Sequence, residues 1–259
     1  MLESMSLQGK VAIVTGSTRG IGRSIAEALA ASGARVVISS RNQASCEDVA
    51  AQINARLGSV RAHAKAASIS SKVALQLLVD ETRSVFGPID ILVCNAASNP
   101  FYGPMSEIAD DVFRKVFENN VLSNHWLIQM AVPDMKQKRD GAIIVISSIG
   151  GLFGSATLGA YHISKAADMQ LVRNLAVELG PDNIRVNAIA PGVIRTDFAK
   201  ALYEDPVREA AIRASTPLDR IGEPGDIAGT ALLFASAAGS HITGQCLVID
   251  GGMLTTGGL

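Results

Sequence analysis

The chain has 259 residues, of which 48% are hydrophobic, 18% charged and only 4% aromatic, with a net charge of −1. That length suits a single large α/β domain. The near-neutral balance excludes a basic nucleic-acid surface and a charged tail, and the scarcity of aromatics calls for a core of Ala, Val, Ile and Leu, as in a sheet covered on both faces.

Short β-branched runs alternate with longer helical patterns along the chain. The expected strands are 11–15, 35–39, 60–65, 90–94, 142–146, 184–189 and 246–249. Several are almost wholly apolar, as parallel strands buried on both faces should be. Between them, 21–32 carries Ile21, Ile25, Ala28 and Leu29 on one stripe, and 70–86 carries Val73, Leu77 and Val85 on another. Longer helical patterns cover 107–135 and 159–180. Repeated βαβ units imply right-handed crossovers, hence a doubly wound α/β sheet with helices on both faces. No linker or repeat divides the chain, so 1–259 reads as one domain. Segment 195–222 breaks the alternation with Phe198, Leu202, Tyr203, Pro206 and Pro217; it is expected to form short helices and act as a substrate lid.

The three cysteines, Cys46, Cys94 and Cys246, contain no CxxC pair, which argues for a reducing compartment and against a disulfide framework. The start MLESMSLQGK has no signal-peptide pattern, and no apolar run approaches the roughly 18 residues a membrane span requires. The expectation is a soluble, cytoplasmic protein with no membrane partner.

The first strand runs into Gly16-Ser17-Thr18-Arg19-Gly20-Ile21-Gly22, and a helix follows. Glycines there permit a tight turn and let a pyrophosphate approach the backbone at a helix N-terminus. The second strand ends at Ser39-Ser40-Arg41. The acidic residue that would bind the ribose hydroxyls of NAD is missing. Ser40, Arg41 and Arg19 instead suit a 2′-phosphate, so NADPH is the expected cofactor and NADH the alternative.

Tyr161 and Lys165 stand four apart at the start of a helix and share a face. A nearby ammonium lowers a phenol's pKa from about 10, which would let Tyr161 exchange a proton with substrate. Ser148 and its neighbour Ser147 follow the strand 142–146, at the sheet end where doubly wound folds place ligand groups. Either hydroxyl could reach a substrate carbonyl. Asn120 interrupts a helical pattern, where it could hold water, kink the helix or be an ordinary polar position. His162 reads as a packing residue and Cys94 as core. The four histidines show no metal-ligand spacing, so no metal is expected.

With these residues in view, the chain resembles the short-chain dehydrogenase/reductase family from about residue 7 to about 252. The matching stretches are TGSTRGIG (15–22), CNAA (94–97), Asn120, Ser148, YHISK (161–165) and PGVIRTD (191–197). The resemblance implies a Rossmann-type sheet of seven parallel strands and a soluble oxidoreductase interconverting a carbonyl and an alcohol. It implies a tetrad: Tyr161 as acid/base, Lys165 lowering its pKa and binding ribose, Ser148 orienting the carbonyl, Asn120 supporting a water-linked proton path. Family spacing selects Ser148 over Ser147. Asn95 and Ala96 are implied beside the cofactor, and Pro191, Gly192, Ile194 and Thr196 near the nicotinamide.

Two departures stand out: Cys94 and Ala97 replace the usual Asn and Gly, and Ser68 stands where an adenine-contacting Asp is usual. NAASNPFYGP (95–104), with SSR (39–41), is most similar to the branch of NADPH-dependent carbonyl and retinal reductases, although the end TTGGL lacks the peroxisomal tripeptide of some of those relatives. Phe101, Phe153 and Phe198 are the candidate walls of an apolar substrate pocket. Oxoacyl-thioester reduction, sugar or polyol oxidation and a silent cofactor sensor are the competing readings. A basic patch of Arg195, Lys200, Arg208 and Arg213 would favour the first of these. Apolar residues around much of 159–180, among them Ile163, Leu171, Leu175 and Val177, together with the implied family assembly, suggest a homotetramer.

Overall fold

The computed structural model describes residues 3–256; the C-terminal tripeptide 257–259, where a peroxisomal signal would lie, falls outside them. Seven strands, β1 (Val11–Thr15), β2 (Arg35–Ser39), β3 (Ala62–Ala64), β4 (Ile91–Cys94), β5 (Gly141–Ile146), β6 (Ile184–Pro191) and β7 (Cys246–Ile249), pair in the order β3-β2-β1-β4-β5-β6-β7. Every pairing is parallel. This is the expected Rossmann-type sheet.

Nine α-helices among the described residues complete it: α1 (Gly20–Ala31), α2 (Gln43–Leu57), α3 (Lys72–Phe86), α4 (Asp110–Phe117), α5 (Ser123–Lys138), α6 (Gly159–Leu179), α7 (Lys200–Tyr203), α8 (Pro206–Ser215) and α9 (Pro224–Ala235). Successive strand residues point to opposite faces. Ala12, Val14, Val36, Ile38 and Ile144 therefore pack with α1, α2 and α9, while Val11, Ile13, Val37, Ile143 and Val145 pack with α3, α5 and α6. Each fully buried aliphatic side chain contributes about 1.5–3 kcal/mol, which explains how so few aromatics suffice.

Four expectations change. The stripe Val73, Leu77, Val85 faces solvent; α3 buries Leu75, Leu78, Val79, Thr82 and Phe86 instead. Two apolar stripes share this helix, and the one carrying Phe86 meets the sheet. The strand expected over 60–65 is paired only at Ala62–Ala64, because it lies at the sheet edge beside β2 alone. The helix expected over 107–135 begins at Asp110 and is interrupted by a π-helical turn, Glu118–Leu122. Finally, α2 and α9 were not foreseen. The buried face of α2 is a narrow stripe of Cys46, Val49, Ala50 and Ile53 in a polar run, and α9 shows too little amphipathic contrast to stand out.

Segment 195–222 leaves and rejoins the fold at one point. The Arg195 N–H donates to the Gly222 carbonyl (2.8 Å), and the Gly222 N–H to that of Val193 (3.0 Å). Between these ends, Leu202, Tyr203, Ile212 and Ile221 pack with Ile149, Phe153 and Met253 in a third, smaller cluster.

Candidate active site

The strand order reverses between β1 and β4, and their C-terminal ends open a crevice there. Gly16 and Gly20 adopt φ of +64° and +54°, conformations only glycine takes without cost. Gly22 is required by proximity: a Cβ there would lie 2.4 Å from both Asn95 Nδ2 and the Gly16 carbonyl. Asn95 Nδ2 donates to the carbonyls of Thr15 (2.8 Å) and Gly16 (3.2 Å). Thr15 Oγ1 accepts from the N–H groups of Asn95 (3.0 Å) and Ala96 (3.1 Å). Asn95 and Ala96 thus tie the end of β4 to the glycine loop.

Ser17 is fully buried; its hydroxyl donates to the Val14 carbonyl (2.7 Å) and accepts from the Ser39 N–H (2.8 Å). It is a strut between the ends of β1 and β2, its side chain turned away from the crevice. Thr18 is half-buried in the loop, and Ile21 packs on the core beneath it. No side chain caps α1, so the first-turn amides of Gly20, Ile21 and Gly22 are left for a ligand.

At the end of β2, the Ser40 hydroxyl lies 3.3 Å from Cys46 Sγ, and Arg41 is exposed. Ser68, in the loop before α3, bonds Ser70 (2.8 Å). Across the crevice β6 ends at Pro191. The Gly192 N–H donates to Ile249 (2.9 Å), Ile194 is buried, and the Thr196 side chain lies against Gly20. Arg19 pairs with Asp197 at 3.0 Å, both side chains 68% exposed. The glycine loop therefore touches the base of segment 195–222.

Tyr161 and Lys165 sit one turn apart on α6, with Lys165 Nζ 5.8 Å from the Tyr161 ring centre. Ser147 and Ser148 have different surroundings. The Ser147 hydroxyl donates to the Lys165 carbonyl (2.8 Å), whereas that of Ser148 caps Gly150 (3.0 Å) and hydrogen-bonds the Tyr161 phenol. Lys165 is 2% exposed and donates to the Ile146 carbonyl (2.9 Å) and to Asp168 Oδ2 (3.0 Å). Burial disfavours its charge, but the Asp168 carboxylate and the Tyr161 phenol hold its pKa above the ordinary lysine value. Burial lifts the Asp168 carboxyl against the pull of Lys165 and Asn124.

The expectation of a lowered phenol changes here. Burial raises the Tyr161 pKa by more than Lys165 and Ser148 lower it, and Asp168 adds to the rise. In the protein alone the phenol therefore stays protonated, in the form that donates.

Asn120 is fully buried in the π-helical turn. Its Oδ1 accepts from the Ser98 N–H (2.8 Å), and its Nδ2 donates to the Ser98 carbonyl and Ser164 Oγ (both 3.0 Å). The side chain clamps the loop after β4 to α6, while its main-chain carbonyl accepts from Asn124 Nδ2 (2.7 Å). Asp168, Asn124, Ser98 and Ser164 were not foreseen as part of the site. Only Asp168 carried a signal, an acid three residues after Lys165 on a helix face.

Of the three expected aromatic walls, Phe198 reaches the phenol, with ring centres 6.0 Å apart, and is itself 57% exposed. Phe153 meets His162 edge-on at 5.2 Å and packs beneath the segment 195–222. Phe101 lies over Gly103, whose N–H donates to the Thr157 carbonyl (2.9 Å). His162 Nδ1 pairs with the Phe153 carbonyl (3.1 Å), and burial lowers its pKa, as befits a packing residue.

A family model described as enoyl-(acyl carrier protein) reductase matches residues 16–254. Dehydrogenase/reductase SDR family member 4 of Bos taurus is 39% identical over 249 residues, 96% of this chain and 88% of the relative. This chain is a short-chain dehydrogenase/reductase. Among solved members of the family, a 7α-hydroxysteroid dehydrogenase complexed with NADH and 7-oxo glycochenodeoxycholic acid is 39% identical, with a TM-score of 0.92 and 96% of both chains covered. A gluconate 5-dehydrogenase from Burkholderia cenocepacia complexed with NADP and tartrate is 29% identical, with a TM-score of 0.93 and 98% of both covered. The protein is an oxidoreductase enzyme of this family, whose members use NAD(P). Among the described residues no helix is long and apolar enough to cross a membrane.

Proposed function

We propose that the enzyme reduces a hydrophobic ketone or aldehyde to the alcohol, or catalyses the reverse, with NADPH preferred over NADH. The observation that carries this reading is the protonated Tyr161 phenol, hydrogen-bonded to Ser148, one turn from the buried ammonium of Lys165 and beneath Phe198.

The crevice fits a dinucleotide. A Cβ would fill the space at Gly22, and the uncapped start of α1 presents its amides to a pyrophosphate. Gly16, Thr18, Gly20, Ile21 and Gly22 would hold that group, with Ser17, Asn95 and Ala96 bracing the loop. Ser40, Arg41 and Arg19 would take a ribose 2′-phosphate. Pro191, Gly192, Ile194 and Thr196 would border the nicotinamide, which supplies the hydride when bound.

Ser148 donates a hydrogen bond to the substrate carbonyl and fixes its orientation. Tyr161 gives its proton to the developing alkoxide during reduction and takes it back during oxidation. The Lys165 charge stabilises the phenolate left behind and offers a donor to the ribose. Asn120 holds α6 and the β4 loop in register beside the route by which that proton is replaced. Closure of 195–222 would bring Phe198 over the substrate and exclude water.

A carrier-protein thioester is the second reading, favoured by the description of the matching family model. The lid's charges argue against it: Arg195 pairs with Glu209 and Glu223, Lys200 with Glu204, Arg208 with Asp205 and Arg213 with Asp219. Little unpaired positive charge is left there for an acidic carrier.

Ile163 and Val177, the latter 80% exposed, leave an apolar face on α6, which supports assembly into a homotetramer; sedimentation as monomer at micromolar concentration would rule that out. A cytoplasmic location accords with three unpaired cysteines.

The decisive experiment titrates the protein with NADPH and NADH, then follows loss of reduced-cofactor absorbance with ketones, aldehydes, oxoacyl thioesters and sugars. NADPH preference with turnover of apolar carbonyls supports the proposal. Turnover of thioesters alone would replace it with the second reading, and cofactor binding without any turnover would make the protein a sensor.

A further inference from the structure

The chemistry above needs only Ser148, Tyr161 and Lys165 at the proton, yet a second ionisable group lies behind them. Asp168 is fully buried on α6, one turn beyond Lys165. Its two carboxylate oxygens have separate partners. Oδ2 accepts from Lys165 Nζ at 3.0 Å, and Oδ1 accepts from Asn124 Nδ2 at 3.0 Å. The Asn124 amide also donates to the Asn120 main-chain carbonyl at 2.7 Å, so α5, the π-helical turn and α6 meet at this carboxylate.

A buried ion pair is a poor device for stability, because desolvating both charges consumes most of what their attraction returns. It is an effective device for keeping a charge where burial would remove it. A lysine taken out of water without a counter-ion releases its proton readily. Lys165 has 2% of its side chain exposed, and a neutral amine there could not stabilise the Tyr161 phenolate. The carboxylate has a drawback, since it opposes ionisation of the phenol. It therefore acts on the proton chemistry through Lys165, by retaining its charge and fixing its position.

We infer that Asp168, held in place by Asn124, is a positioning residue that keeps Lys165 protonated and directs its remaining donor toward Tyr161 and the cofactor ribose. This rests on the proposed roles of Tyr161 and Lys165. The titratable groups acting on the pair are Tyr161 on α6 and Cys94 at the end of β4, whose thiol burial keeps protonated. Asn124 from α5 and the Ile146 carbonyl from β5 are the neutral partners.

The test follows two quantities across pH in the wild type, Asp168→Asn and Asp168→Glu. One is the heteronuclear NMR signal of the Lys165 ammonium, assigned by its loss in Lys165→Met. The other is kcat for alcohol oxidation at saturating NADP+. In the wild type, the ammonium should persist past the ordinary lysine value of 10.5. In Asp168→Asn it should be lost about one to three pH units lower, and kcat should acquire an alkaline decline over the same range. Asp168→Glu should restore both profiles toward those of the wild type.

A purely structural Asp168 would reduce yield or unfolding temperature and leave both profiles in place, which would overturn the inference. If Asp168→Asn does not fold, the wild-type titration still decides: an ammonium lost at or below the ordinary value overturns the proposal. NMR titrations as expected, with no carbonyl turnover by any form, would sink the carbonyl reading and still support the hold of Asp168 on Lys165.

Discussion

The Ser147 hydroxyl donates to the main-chain carbonyl of Lys165 at 2.8 Å, bracing the catalytic helix against the end of β5. Its neighbour Ser148 is thereby the hydroxyl left for Tyr161 and substrate. The two serines should separate cleanly on mutation. Ser147→Ala should cost about 1 kcal/mol of stability, the net value of a buried hydrogen bond, measured by denaturant unfolding, with turnover largely kept. Ser148→Ala should keep its stability and lose about a hundredfold in kcat.

Tyr161→Phe removes the proton donor and little else. Turnover should fall by about 10²–10⁴-fold, the usual contribution of general acid catalysis, while NADPH binding, followed by fluorescence, stays near that of the wild type. Near-normal turnover in this variant would show that another group carries the proton.

Gly22→Ala places a methyl group 2.4 Å from Asn95 Nδ2 and from the Gly16 carbonyl. Neither neighbour is free to withdraw, since Asn95 already joins β4 to β1. Overpacking of this kind costs about 1–3 kcal/mol, and here the displaced atoms form the cofactor cradle. The expected result is a lower unfolding temperature together with loss of cofactor binding. Gly58→Ala, at a helix end with open space around it but φ of +62°, should lower stability alone.

Asp197 competes for the guanidinium of Arg19. An exposed pair of this kind adds little to stability, so Asp197→Asn should leave the unfolding temperature unchanged. Freed for a 2′-phosphate, Arg19 should tighten NADPH binding by about two- to fivefold, with NADH affinity unaltered. An equal change for both cofactors would remove Arg19 from the phosphate site.

The folded-state pKa of His162 lies below its ordinary 6.5 because burial disfavours the imidazolium. Stability from its neutral form is therefore fully present above about pH 6.5 and is lost as pH falls through the folded-state value. Thermal unfolding between about pH 8 and about pH 5 should show an acid-side decline that is shallower in His162→Gln.

The sheet was readable from residues because parallel strands buried on both faces are nearly pure aliphatic runs: Ile91–Cys94 and Gly141–Ile146 are buried throughout. Helix α3 was readable as a helix but not as to its inner face, since Val73, Leu77 and Val85 repeat as regularly as Leu75, Leu78 and Val79. Tertiary packing of Phe86 decides between the stripes. The glycine loop and the Tyr161–Lys165 pair are local patterns and could be found by spacing. The grip of Asn120 on Ser98, 22 positions away, depends on a loop's return that no periodicity encodes. Asp168 was visible as an acid one turn from Lys165; its burial, and the net rise in the phenol's pKa that accompanies it, became visible only once β4 and α5 closed around it.

The π-helical turn at Glu118–Leu122 also sets the tolerance of this region to insertions and deletions. A wide turn holds one residue more than an α-helical turn spanning the same hydrogen bond. Deleting one residue from it would relieve the local widening, yet rotate everything that follows by about 100°, the angle each residue occupies on a helix. Leu127, Ile128, Ala131 and Met135, now facing the sheet, would swing toward its flank, and Asn124 would turn away from Asp168. A change of three or four residues, close to a whole turn, would disturb the phase far less. Length variation in this stretch among descendants of the chain should therefore come in whole-turn steps, with the single extra residue inherited as a unit.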